Sequence, residues 1–298
     1  MAVSLANNAL EVYRVSEGAG PAEVSSGIEL PGHRSDIRSL ALSQDDTLLL
    51  STSNSGAKVW NPRTGLCLRT VEETGYGLCA LFAPGSRHAV VGTKEGKLHV
   101  VDVAAGQLVG TVDAHTGAIW SLAPLPDGSG LVTGSADHDV KFWEYEVLVE
   151  GEQKRLGLRL SRTLKMTDDV LCVRCSPDGK LLAVSLLDST IKVFFLDSLK
   201  FFLSLYGHKL PALSMDISSD GMFLASGGAD KNLRIWGLDF GDCHKSMFAH
   251  QDSIMQVQFV RNTHYCFTSG KDKTVRYWDC DKFEQLLVLV SWHSVPLH

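Results

Sequence analysis

The stretch GHKLPALSMDISSDGMFLASGGADKNLRIWGLD, residues 207–239, decides the fold. It begins at Gly207-His208 and ends just past Trp236. Between them short apolar runs are punctuated by turn signals such as Asp220-Gly221. Gly tolerates positive φ, and Asp hydrogen-bonds its own backbone, so this pair favours a tight turn. Apolar runs of about four to eight residues between such signals read as strands. The unit therefore reads as four strands joined by turns.

The unit recurs. The strands LEVY, AKVW, LHVV, VKFW, IKVF, LRIW and VRYW end at Tyr13, Trp60, Val101, Trp143, Phe194, Trp236 and Trp278, with successive gaps of 47, 41, 42, 51, 42 and 42. A period of about 40–45 residues is that of WD-type propeller blades. Asn7, Asn54, Glu95, Asp137, Asp188, Asp230 and Asp272 stand six residues before the anchors. Gly32-His33, Ala114-His115, Gly207-His208 and Ala249-His250 precede the first strand of four repeats.

Three repeats carry a full polar set: His115, Thr133, Asp137 and Trp143; His208, Ser226, Asp230 and Trp236; His250, Thr268, Asp272 and Trp278. A buried imidazole or indole without a partner costs about 1–3 kcal/mol. These sets are expected to form hydrogen-bonded networks from Asp through His and Ser/Thr to the indole. The other repeats read as degraded. Leu50 stands in for the hydroxyl in the first, the second has Thr74, Glu95 and Val101, and the fourth keeps only Asp188.

This periodicity absorbs histidines that could otherwise suggest a hydrolytic triad. There is no Gly-rich phosphate loop, HExxH or nucleophile elbow. No catalytic, cofactor-binding or metal-ligating residue is assigned. In Cys172-Val-Arg-Cys175 the two thiols lie on one strand, three positions apart, and so face opposite sides. They read as one buried and one peripheral thiol, not as a redox or zinc motif.

With 28 basic and 34 acidic residues the net charge is −6, which argues against a strongly basic duplex-binding domain. Hydrophobic residues make up 44% and charged residues 21%, a globular balance that excludes a disordered tail, a collagen or a coiled coil. No apolar run reaches the roughly 20 residues that span a bilayer. No secretory leader is visible at the N-terminus. Seven scattered cysteines read as reduced thiols in a cytosolic or nuclear protein.

The gap of 51 marks an insertion after Trp143, at about 146–165. It carries Lys154, Arg155, Arg159, Arg162 and Lys165, and its LGLRLSRTL segment alternates as an outer strand would. It is either a solvated loop or a contact to an acidic protein or RNA backbone.

Longer segments are not generic to WD repeats. KLLAVSLLDSTIKVFFLDSLKFFLSLYGHKLPALSMDIS (180–218), IWGLDFGDCHKSMFAH (235–250), GHRSDIRSL (32–40), GTKEGKL (92–98) and VKFWEYEVLVEG (140–151) resemble the second propeller of the WD repeat-containing protein three family. That family supplies the tandem-propeller subunit of the UtpB subcomplex in the small-subunit processome. The resemblance implies an all-β WD-repeat β-propeller without enzymatic activity, in the nucleolus of the nucleus. It implies a ribosome-biogenesis scaffold that supports pre-ribosomal RNA processing and 18S rRNA maturation. The implied partners are other UtpB-type proteins and, within the complex, small nucleolar RNA and pre-ribosomal RNA. No membrane or small-molecule substrate is implied.

A rival reading is a substrate receptor of a cullin-RING ubiquitin ligase, on the ending Trp60-Asn61-Pro62-Arg63, weakened by Asn54 where Asp is usual. Residues 31–290 are expected to form six complete blades, and 1–30 a partial seventh of two strands, roughly 9–15 and 22–30. The resemblance stops near Leu287, and 291–298 reads as a divergent tail of a truncated form. The missing strands of the seventh blade would have to come from that tail, which is too short for them. The ring is therefore not expected to close as written.

Overall fold

The computed structural model describes residues 1–4, 8–15, 24–30, 32–150 and 153–290. The expected tail, 291–298, lies outside them. The chain divides into two compact units, 1–165 and 166–298. The first unit holds a three-stranded sheet and three four-stranded antiparallel sheets; the second holds three more four-stranded sheets. We number the four-stranded sheets as blades 1 to 6, spanning 37–71, 77–113, 119–165, 170–205, 212–248 and 254–290. In each blade the strands follow one another in chain order, so every connection is a hairpin.

Burial grades across each blade. Second strands are almost wholly buried, as in Leu49–Ser53, Gly130–Ser135 and Phe223–Gly228. Their residues are apolar or small, such as LLSTS and FLASGG, because both faces meet neighbouring backbone or side chains. Fourth strands are largely exposed, as in Cys67–Val71 and Cys243–Phe248.

One irregularity repeats in all six blades. The pairing of the third and fourth strands shifts register immediately before the anchor: at Val59/Trp60, Val100/Val101, Phe142/Trp143, Val193/Phe194, Ile235/Trp236 and Tyr277/Trp278. A bulge bends its strand and re-aims a side chain. Here it accompanies the burial of each anchor: Trp60, Trp143, Trp236 and Trp278 are all at or below 4% exposure.

One expectation needs amendment. The N-terminal sheet has three strands, Ala2–Ser4, Leu10–Val15 and Val24–Leu30, not two. The additional strand pairs Ala2 with Val12 and Ser4 with Leu10. It is three residues long, too short for an alternating pattern to announce it. The insertion lengthens the last two strands of blade 3 to Asp139–Glu150 and Gln153–Lys165, paired continuously from Asp139↔Lys165 to Glu150↔Gln153. In its own unit the hairpin lies against the fourth strand of the preceding blade: Arg155 Nη1 donates to Val109 O at 3.2 Å, and Leu156 packs in the core shared with Val109 and Val112.

Candidate functional site

Three buried polar chains run through blades 3, 5 and 6. In blade 3, Trp143 Nε1 donates to Thr133 Oγ1 at 3.1 Å, Thr133 Oγ1 lies 2.6 Å from His115 Nε2, and His115 Nδ1 is 2.9 Å from Asp137. In blade 5 the same links join Trp236 to Ser226 (2.8 Å), Ser226 to His208 (2.7 Å) and His208 to Asp230 (2.9 Å). In blade 6 they join Trp278 to Thr268 (2.9 Å), Thr268 to His250 (2.8 Å) and His250 to Asp272 (2.9 Å).

One proton arrangement satisfies each chain. The hydroxyl oxygen accepts the indole N–H and directs its own hydrogen to Nε2, although in blade 3 Lys141 O is a second acceptor 3.3 Å from Thr133 Oγ1. Nδ1–H then donates to the carboxylate, and in blades 3 and 6 the imidazole is neutral. Burial pushes the pKa of His115 and His250 below the usual histidine value, against the pull of Asp137 and Asp272. Burial by itself would raise the Asp272 carboxyl. Its bonds from His250, the Gln251 amide and Thr274 outweigh that and hold it at about 2. Each Asp also accepts the amide of the residue after the histidine, at Thr116, Lys209 and Gln251. The carboxylate thus ties the blade's entry loop to its central hairpin.

The order carboxylate, imidazole, hydroxyl is that of a hydrolytic triad, but the environment is not. Thr133, Ser226 and Thr268 are fully buried, and each hydroxyl oxygen is occupied by an indole N–H. A nucleophile must be open to substrate, with its lone pair free. These groups serve packing.

Blade 1 corrects the sequence reading. Leu50 does not take the hydroxyl's place; Ser51 does. Trp60 Nε1 donates to Ser51 Oγ at 2.8 Å, and Ser51 Oγ lies 2.6 Å from His33 Nε2. Ser53 Oγ, 2.9 Å from His33 Nδ1, replaces the carboxylate and passes its hydrogen to Gly56 O. The cause is hairpin length. Ser51 pairs with Lys58, whereas Ser226 pairs with Arg234, so the blade 1 turn is one residue shorter. Counting back ten from Trp60 therefore lands one residue early. Burial and then the Lys58 charge push His33 down to about 4.

Blades 2 and 4 have apolar anchors. Val101 and Phe194 are buried and carry no N–H, so no chain is required. In blade 4 Ser185 Oγ donates to Ala212 O at 3.0 Å, and Asp188 accepts the Thr190 amide and hydroxyl.

The register sets Arg155, Arg159 and Arg162 opposite Leu148, Glu144 and Phe142, on one face of the blade 3 hairpin, and each is engaged within the chain. Arg155 is bound to Val109 O. Arg159 pairs with Glu144, and the Arg162 guanidinium stacks 4.7 Å from the Phe142 ring. Lys165 is exposed, and the Lys154 side chain lies outside the described residues. Val147 and Val149 stand out from the same hairpin at 66% and 63% exposure. In blade 1, Asn61 Oδ1 accepts the Arg63 and Thr64 amides, closing the turn after Trp60. None of the seven cysteines is in a disulfide; Cys172 is buried and Cys175 half-buried.

These blades match a known family. The model of the WDR3 second β-propeller domain covers residues 36–295. The chain belongs to that family. It is an all-β WD-repeat β-propeller, with six four-stranded blades among the described residues. Among its relatives, WD repeat-containing protein 3 of Homo sapiens is 52% identical over 211 residues, 70% of this chain and 22% of the human protein. The Dictyostelium discoideum homolog is 50% identical over 219 residues, 72% of this chain and 23% of that protein. The U3 small nucleolar RNA-associated protein 12 of Saccharomyces cerevisiae is 49% identical over 229 residues, 72% of this chain and 24% of the yeast protein. The aligned part of this WDR3-type chain thus corresponds to about a quarter of each curated relative.

Two features of the WDR3-type chain were not read from its sequence. The Ser51 chain becomes visible once hairpin length is allowed to vary. The second is an apolar surface on blades 4 and 5, whose sequence signal is the Phe at the centre of the turn Asp239-Phe240-Gly241-Asp242.

Proposed function

We propose that this chain is a non-enzymatic scaffold in ribosome biogenesis, a component of the small-subunit processome. In this reading it supports pre-ribosomal RNA processing and 18S rRNA maturation in the nucleolus. Its partners are UtpB-type proteins and, within the assembly, small nucleolar RNA and pre-ribosomal RNA. The observation that carries the reading is the 49% identity to a U3 small nucleolar RNA-associated protein over 72% of the chain. The placement of every hydroxyl of the polar chains in the core, away from substrate, supports a scaffold over an enzyme.

The N-terminal sheet is, in this reading, part of a seventh blade. Its last two strands pair with a register shift between Glu11 and Tyr13, the position the bulge takes before every other anchor. The 146–165 hairpin is its partner arm. With Arg155, Arg159 and Arg162 engaged within the chain, the exposed Val147 and Val149 favour a protein surface as what it meets.

Affinity purification of the tagged chain, with identification of the retained proteins, tests the reading. Recovery of processome subunits is expected. Recovery of a cullin adaptor in their place would favour the ligase receptor and count against the scaffold.

A further inference from the structure

The turns along one edge of blades 4 and 5 frame a feature the scaffold reading does not use. A cavity of about 330 Å³ opens there, floored by Leu181, Phe195, Phe202 and Leu238. The rings of Phe195 and Phe202 lie 4.8 Å apart, tilted against each other. Phe195 is 39% exposed although it forms part of the wall. The apolar surface continues past the mouth. Leu238 N donates to Met222 O at 3.0 Å, and Met222 is 59% exposed. Phe240, two residues beyond Leu238, is 85% exposed. Its turn is seated on blade 4: a Cβ at Gly241 would lie 3.2–3.3 Å from Leu203 and Leu205. A phenylalanine presented this openly, beside an apolar cavity, marks a contact surface.

The surrounding charge selects the occupant. Asp178, Lys180 and Asp197 line the cavity, and Asp239 and Asp242 bracket Phe240 in sequence. Two lysines accompany them on these turns: Lys180, already paired with Asp178 at 2.9 Å, and Lys200. Nucleic acid is disfavoured, because its phosphates would meet the carboxylates. A small molecule would fill the cavity and leave Phe240 and Met222 uncovered. We propose that this edge of blades 4 and 5 is a docking site for an extended peptide segment of a partner protein, with one large apolar side chain in the cavity and Lys or Arg on either side of it. The apolar anchor supplies affinity, and the basic flanks supply selectivity and speed of encounter. The proposal goes beyond the ribosome-assembly reading and stands whether or not that reading holds.

Fluorescence anisotropy with a dye-labelled hexapeptide, a Leu-Phe core flanked on each side by Lys-Arg, tests the site on the full chain. Saturable binding is expected. Phe195→Ser with Phe240→Ser should weaken it about tenfold or more. Phe240→Ser alone, at a side chain largely in solvent, should weaken it while leaving thermal unfolding unchanged. Asp197→Lys with Asp239→Lys should weaken it several-fold at low salt and less at high salt. The proposal is overturned if the probe does not bind by about 1 mM, or if a Ser-Ser core binds as tightly as Leu-Phe. It is overturned equally if Phe240→Ser leaves binding unchanged, or if a uridine-rich RNA oligonucleotide binds this face in preference to the peptide.

Discussion

At the scale of single residues, the blade 1 chain turns on which of two adjacent buried hydroxyls does the bonding. Ser51 Oγ serves both His33 and Trp60, whereas Thr52 Oγ1 is buried with no hydrogen-bond partner in the described protein. Ser51→Ala strands an imidazole nitrogen and an indole N–H, at about 1–3 kcal/mol each. Thr52→Val keeps the shape and removes an unpaired group, so it should be neutral or slightly stabilising. Urea unfolding of the two variants checks this, and equal losses would contradict the assignment of Ser51. The neutral histidines give a second prediction. His33, His115 and His250 all have folded pKa values depressed by burial, His33 to about 4. The unfolded chain holds these protons near pH 6.5 and the folded chain does not, so their stabilisation is full above that pH and is lost on acidification. His264 acts oppositely. Burial would lower its pKa, but Asp220 and Asp281, at 2.8 and 2.7 Å, raise it. Its stabilisation is present below pH 6.5 and is lost as pH rises through the raised value. Burial depresses His88 and His99 as well, while the buried Asp216 carboxyl is raised by desolvation and acts as His264 does. Five groups stand against two, so unfolding free energy should fall from pH 6.5 to 5; a rise over that window would show that the network histidines are not neutral.

At the scale of elements, strands and hairpins were legible because their determinants are local. Alternation, Asp-Gly turns and a 42-residue spacing each involve neighbours in sequence. The full polar sets of blades 3, 5 and 6 were legible for the same reason, since three hairpins of equal length keep the offsets constant. Blade 1 escaped because one turn is a residue shorter, and a fixed offset cannot follow such a change. The basic hairpin escaped differently. Five cations within twelve residues suggest a patch, yet alternation sends neighbours to opposite faces. The structure engages them within the chain: Arg155 reaches a backbone oxygen of the preceding blade, Arg159 a glutamate and Arg162 an aromatic ring. Those partners sit across the sheet or on another blade, at distances along the chain that no local pattern encodes. The surface around Phe195, Met222 and Phe240 is likewise assembled from turns of two blades, so its parts look unrelated in sequence.

At the scale of the molecule, the repeat fixes the architecture and leaves function to surfaces. Propellers of this kind host many roles, so function must be argued from sites and relatives rather than from fold. One relative is named for its association with the U3 small nucleolar RNA, and the aligned part of this chain spans about a quarter of each relative's length. The central claim is that this propeller works as a scaffold within an assembly that contains the U3 small nucleolar RNA. The most direct test is to purify the tagged chain from eukaryotic cells at physiological salt and to quantify the U3 RNA recovered, against a spliceosomal small nuclear RNA as control. The account predicts clear enrichment of U3 over the control; equal recovery of the two RNAs would contradict it.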